Sequence, residues 1–229
     1  MCIRDRIEAK RLATVEAEPH LIFVANLHLQ KNHRLLVNAF AKVLKTYPNA
    51  RLTIAGAFDS DHEIGRLVKG DIKKLKIGKQ IDLAGLIDRK ALSRLLSKAH
   101  IAVLPTLFEG FSIASLEYTY FGLPCVLSRT GAADYLADKY GHACVVAQAA
   151  LAPDELSNDI LETRALHDFN DAVEPLAAAI ITILDDYETY SANAVKAAMA
   201  SDEYSIETTA QAYIDIHEAT MNKMGRVAK

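Results

Sequence analysis

From residue 20 onward the chain alternates between short apolar runs and longer stretches whose apolar positions recur every three or four residues. Residues 20–25, HLIFVA, form a continuous apolar run, the pattern of a strand buried on both faces. Residues 32–47 carry Leu35, Leu36, Ala39, Phe40, Val43 and Leu44 on one helical face, and Pro48 ends that helix. The alternation then repeats. Strands are predicted at 51–56 (RLTIAG), 80–85 (QIDLAG), 100–106 (HIAVLPT), 124–128 (PCVLS) and 142–146 (HACVV). Between them, helices are predicted near 61–74, after Asp88, at 112–121 and at 132–138. Asp88 is placed to cap the second of these, whose Leu92, Leu95, Leu96 and Ala99 face inward.

Short apolar strands separated by helices predict right-handed βαβ units. The fold class is therefore α/β, a Rossmann-like, doubly wound parallel sheet followed by C-terminal helices. Residues 148–170 are rich in Ala, Asp and Leu without a clear period, and read as a loop or insertion. Helical patterns return at about 172–187, 188–200 and 205–221, with no strand beyond 147. The expected organisation is a charged segment at 1–19, a Rossmann-like domain at 20–171, and helices at 172–229 packing on it.

Composition narrows the class. At 229 residues and 51% hydrophobic, the chain can bury a sizeable core without disulfides or a structural metal. The net charge of −3 gives no basic footprint for nucleic acid. Apolar runs stop at about six residues, far short of a membrane span. The charged start has no signal-peptide core. Cys2, Cys125 and Cys144 are an odd count without zinc spacing, which fits a reducing compartment. A cytoplasmic protein is expected, with peripheral attachment to the inner membrane face left open.

In an open parallel sheet, ligands bind beyond the carboxyl ends of the strands. Five loops qualify: NLHLQKNH, GAFDSD, GLID, TLFEGFS and SRTGAAD. In the fourth, Gly110 lets a ligand approach the backbone. The amides of Phe111, Ser112 and Ile113 would be first-turn donors at a helix start, where the dipole favours an anion. Glu117 lies eight residues after Glu109, and either carboxylate can accept hydrogen bonds from adjacent hydroxyls. Taken one at a time, Ser112 reads as a helix cap, Glu117 as solvated and Gly110 as a turn. Together they favour a ligand with phosphate and sugar groups. In the first loop, Lys31 can bring positive charge to a diphosphate. Other chemistry is weaker. GFSIA lacks the strand-to-helix turn of a nucleophile elbow. His28 and His33 have no third ligand for zinc. No GxxxxGK[ST] or GxGxxG is present.

These residues resemble the GT-B glycosyltransferases, specifically the retaining, family-four type. The likeness spans about 20–147 and rests on FVANLHLQKNHRLLVNAF, RLTIAGA, IDLAGLIDRKALSRLLSKAHIAVLPTLFEGFSIASLE and FGLPCVLSRTGAADYL, in that order. The Glu-seven-Glu signature is present as Glu109 and Glu117, followed by Gly122 and Pro124. The resemblance implies the donor-binding, C-terminal half of a GT-B fold, which transfers a sugar from a nucleoside-diphosphate sugar with retention. It implies that Glu117 binds the ribose and Glu109 the sugar hydroxyls. Lys31 would hold the diphosphate, helped by amides around Gly110, Phe111, Ser112 and Ile113, with Leu86 and Ile87 near the base. Glu109 and Lys31 are thus the catalytic candidates, and no metal or other cofactor is implied. Two departures stand out. The family often has an arginine at the position of Asn26, so one diphosphate charge is missing, and Ser112 replaces a glycine. In the family an N-terminal domain binds the acceptor, here an unknown glycan, lipid or small molecule. That domain is expected to be missing or separate, with residues 1–19 a truncation remnant. The C-terminal helix, with Tyr213, Ile214, Ile216 and His217, would then lack cover and offer a surface for homo-oligomers. The alternative is a nucleotide-sugar-binding or interaction module without turnover.

Overall fold

The computed structural model describes residues 18–200, 207–208 and 210–217. The expectations for residues 1–17, and for parts of the last helix, lie outside the described residues.

Six strands form one parallel sheet: β1 (His20–Val24), β2 (Arg51–Ala55), β3 (Ile81–Gly85), β4 (Ile101–Leu104), β5 (Cys125–Ser128) and β6 (Ala143–Val146). Their order is β3-β2-β1-β4-β5-β6, so the winding reverses between β1 and β4. The helices are α1 (His33–Thr46), α2 (Glu63–Leu75), α3 (Arg89–Lys98), α4 (Ile113–Tyr120), α5 (Ala133–Tyr140), α6 (Asn158–Leu166), α7 (Asn170–Asp185) and α8 (Tyr187–Met199). Further helical residues at 207–208 and 210–217 are exposed, among them Tyr213, Ile214 and Ile216.

The continuous apolar runs become strands because both faces are covered. Helix α1 packs against α2 and α7, while α4 and α5 pack against α8. Leu21, Ile22 and Phe23 of β1 are fully buried, as are Leu35, Leu36 and Phe40 of α1. Asp88 caps α3 as expected, its carboxylate accepting from the Ala91 amide at 2.7 Å. Arg34 of α1 ties three helices together. Its guanidinium donates to both oxygens of Asp71 on α2, at 2.6 and 2.9 Å, and to the Leu166 carbonyl. It also lies 5.1 Å from the centre of the Phe169 ring.

The segment 148–170 is not the plain loop its composition suggested, for it contains α6. That helix is short, and its apolar residues Ile160, Leu161, Ala165 and Leu166 do not gather on one face, so its period is faint. Its Leu166 joins the main core, while Ala165 and Leu161 pack with Leu107, Phe108, Leu151 and Leu29. Two of those residues belong to the loop after β4, and Leu29 belongs to the loop after β1. A helix that sequence periodicity overlooked therefore supports the loops on which the candidate site is built.

Candidate functional site

At the point where the winding reverses, β1 and β4 are paired at only two positions, Leu21 with Ile101 and Ile22 with Ala102. By contrast, β1 and β2 are registered over five. The Val24 amide, beyond the last registered pair, donates instead to the Tyr118 hydroxyl at 2.9 Å. Tyr118 is fully buried on α4, and burial drives its hydroxyl pKa far above the ordinary range, so it stays protonated. The side chain next to Glu117 thus fixes α4 to β1. The space beyond these strand ends is where an open α/β sheet offers its ligand crevice.

Two loops line this crevice and are joined across it. After β1 the chain makes a 3-10 turn, Leu29–Lys31, with the His28 ring accepting from the Gln30 amide at 3.4 Å. Asn32 closes the turn in the left-handed region, φ 53°, which asparagine tolerates. After β4, the Leu107 amide and Thr106 hydroxyl donate to the Gln30 carbonyl at 2.8 and 3.0 Å. The Gln30 carboxamide donates back to the Phe108 carbonyl at 2.8 Å. At the end of this seam the Lys31 ammonium is paired with the Glu109 carboxylate, both side chains being largely buried. The structure therefore brings Lys31 and Glu109 together although 78 residues separate them.

Beyond Glu109 the backbone turns outward. Gly110 and Phe111 are exposed, and Ser112 is the N-cap of α4, its hydroxyl accepting from the Ser115 amide at 3.3 Å. A hydroxyl engaged as a cap has a structural role, which ends the nucleophile-elbow reading. The amides of Phe111, Ser112 and Ile113 find no hydrogen-bond acceptor among the described residues. They form a set of unpaired donors at the positive end of α4. Glu117 is half-buried on the same helix, and its carboxylate accepts no hydrogen bond among the described residues. The bulky residues Phe111 and Ile113 are 54% and 74% exposed, an unusual display of apolar surface at the mouth of a cleft.

Asn26, Leu86 and Ile87 are placed differently. Asn26 is exposed, but its side-chain oxygen accepts from the Ala57 amide at 2.9 Å, binding the loop after β1 to the loop after β2. The next link runs from the Gly56 amide to the Gly85 carbonyl at 2.9 Å. Leu86, 80% exposed, and Ile87 follow immediately, two strands away from β1. Gly56 is required here because a Cβ would sit 2.1 Å from the Ala25 carbonyl oxygen.

The fifth loop holds a residue that the motif reading passed over. Gly131 has φ +54°, and a Cβ there would come within 2.9 Å of the Gly110 carbonyl oxygen. It braces the backbone of Glu109 and Gly110 from behind. Gln30, Thr106 and Tyr118 were also missed, since nothing local marks a partner that lies across the sheet. His28 and His33 do not converge: His28 is exposed, while His33 is buried edge-on to Phe23 at 4.8 Å. Cys125 is buried, whereas Cys144 is only half-buried, and its thiol donates to the Tyr190 hydroxyl at 3.2 Å.

Residues 5–199 match the family model of the glycosyl transferases group 1. An uncharacterised glycosyltransferase of Methanocaldococcus jannaschii is 29% identical over 128 residues, 56% of this chain and 32% of that protein. The chain thus spans about a third of the length of the curated relatives it matches. Among solved structures, Anabaena HepE in complex with UDP and glucose matches with a TM-score of 0.67 at 15% identity. That match covers 96% of this chain and 53% of that one. The C-terminal domain of a group 1 family glycosyl transferase from Francisella tularensis matches with a TM-score of 0.62 at 15% identity, covering 90% and 94%. At these identities the structural likeness establishes the fold.

Proposed function

The chain belongs to the glycosyl transferases group 1 family, and on that premise we propose that its crevice binds a nucleoside-diphosphate sugar and supplies the donor half of a retaining transfer. The observation that carries this reading is one helix start at which Lys31, Glu109 and three unpaired amides meet. In this reading the diphosphate rests on the Lys31 ammonium and on the amides of Phe111, Ser112 and Ile113. An ammonium has three donors, so Lys31 can keep Glu109 and still take a phosphate oxygen. Glu117, whose carboxylate has room for partners, accepts from the ribose hydroxyls. Glu109 accepts from hydroxyls of the donor sugar, and Leu86 and Ile87 lie toward the base. The Anabaena neighbour, a complex with UDP and glucose, supports a donor of this class.

As the bond from the anomeric carbon to the diphosphate breaks, negative charge grows on the leaving group. Fixed donors aimed at that charge lower the barrier more than the same groups would in water. The acceptor, a glycan, lipid or small molecule, attacks from the face the diphosphate leaves, so the configuration is retained. This scheme requires no metal. The exposed Phe111, Ile113 and Leu86 support closure of an acceptor-binding domain over the crevice, and the exposed Tyr213, Ile214 and Ile216 support pairing of the last helix with a second copy.

Thermal shift with UDP, GDP and ADP tests the donor site. A nucleotide at about 100 times its Kd adds about 2.7 kcal/mol, which raises the melting temperature of a domain this size by about 5–10 °C. Glu117→Ala is expected to remove most of that shift without lowering the unliganded melting temperature. If none of the three nucleotides stabilises the parent chain, the donor-site reading is wrong. Hydrolysis or transfer of the matching sugar then separates an enzyme from a binding module.

A further inference from the structure

The densest concentration of one charge lies away from the crevice, at the amino end of the edge strand β3. Residues 69–79, KGDIKKLKIGK, contain Lys69, Lys73, Lys74, Lys76 and Lys79 against one acid, Asp71. That acid is already taken by Arg34. All five lysines are exposed, and none makes an ion pair among the described residues. Lys69, Lys73, Lys76 and Lys79 rim a groove of about 470 Å³ whose floor is Ile72, Ile81 and Leu83. Asp82 sits between two floor residues on β3, but alternation turns its side chain to the other face of the sheet, where it acts on His20. Glu63 is at the opposite end of α2.

The helix dipole accounts for Lys73 and Lys74 in the last turn of α2 and for Lys76 at its C-cap. It does not account for Lys69 or Lys79. Nor is the chain basic overall, for its net charge is −3. Positive charge has been gathered on one face of an acidic protein.

We propose that this face docks on an anionic phospholipid surface. A cluster of four to eight basic residues is the pattern that holds a protein to a negatively charged leaflet, and here Lys69, Lys73 and Lys74 lie on α2 with Lys76 and Lys79 just beyond it. Lysine suits that task, because its stem lies along apolar surface while its ammonium reaches the headgroups. The groove has neither an arginine fork for bidentate phosphate recognition nor an aromatic ring for stacking bases, which disfavours nucleic acid. Docking here turns the amino end of β3 toward the lipid and the carboxyl-end loops, with the crevice, toward water. The proposal stands independently of the donor-site reading.

Sedimentation with vesicles tests it, comparing phosphatidylcholine alone with phosphatidylcholine doped with phosphatidylglycerol. The full chain is expected to bind only the doped vesicles and to leave them as salt rises. Each lysine reversed should reduce partitioning by about fivefold or more, so Lys69→Glu/Lys73→Glu/Lys76→Glu should abolish measurable binding. The control is Lys90→Glu/Lys98→Glu/Lys196→Glu, which changes net charge equally on other helices and should still bind. Circular dichroism and the unliganded melting temperature of both variants confirm that the fold survives. Equal binding to neutral vesicles, or equal loss in the two variants, overturns the proposal. So does binding to soluble polyglutamate but not to vesicles, which would assign the face to an acidic polypeptide.

Discussion

At Gly110 a Cβ would meet no protein atom within 4 Å, and the backbone there is not in the left-handed region. The absence of a side chain is therefore not needed by the fold of the free chain. If the space beside Gly110 belongs to the diphosphate, Gly110→Ala separates stability from binding. The melting temperature should stay within about 2 °C of the parent, since a tolerated surface change is worth about 0.5 kcal/mol or less. The nucleotide-induced shift should fall by at least half. Unchanged nucleotide stabilisation would mean that the ligand does not approach this backbone. Lys31 and Glu109 teach a related lesson. Each was legible as a charged residue in a strand-end loop, but their pairing was not, because an ion pair across 78 residues leaves no local pattern. The pairing matters chemically, since it holds the Lys31 ammonium beside the Glu109 carboxylate between the two loops.

The loops that carry these residues are held by other elements, and Gly131 is the clearest example. Its positive φ and its contact with the Gly110 carbonyl fix the loop after β5 against the loop after β4. Gly131→Ala forces a Cβ into both constraints. A left-handed alanine costs about 1–2 kcal/mol, and relief of the contact requires the Glu109–Gly110 backbone to move. Urea unfolding should show a loss of about that size, with nucleotide affinity falling by more than the stability loss explains. Normal affinity in a destabilised variant would show that the brace serves folding alone. Helix α6 holds the same loops from another side, through Leu161 and Ala165. Its sequence hid it because it buries so little of itself, whereas α1, with seven buried residues in fourteen, was plain from its period.

Across the molecule, two buried histidines make stability depend on pH. Burial pushes the pKa of His33 down to about 4, opposed only in part by the Ala25 backbone. The same cause brings His142 to about 4, with the Thr119 hydroxyl 3.1 Å from its Nε2. Both rings are neutral in the folded chain at pH 7 and titrate near 6.5 when unfolded. Between about 6.5 and 4 the unfolded state holds more protons, so stability falls as pH falls through that window. Unfolding free energy measured at pH 7 and pH 5 should differ by about 2 kcal/mol or more, and His33→Gln/His142→Gln should flatten the difference. A flat parent profile would show that the rings are not buried neutral. Periodicity and turn residues determined the strands and most helices, because burial on two faces or one stripe imposes a spacing that can be read along the chain. They also placed the candidate chemistry in loops at the carboxyl ends. Only the tertiary structure decided that β1 and β4 part at the crevice, that Tyr118 anchors α4 to Val24, and that Lys31 meets Glu109. Those are contacts between segments distant in sequence, and no spacing along a chain encodes which distant partner a side chain will find.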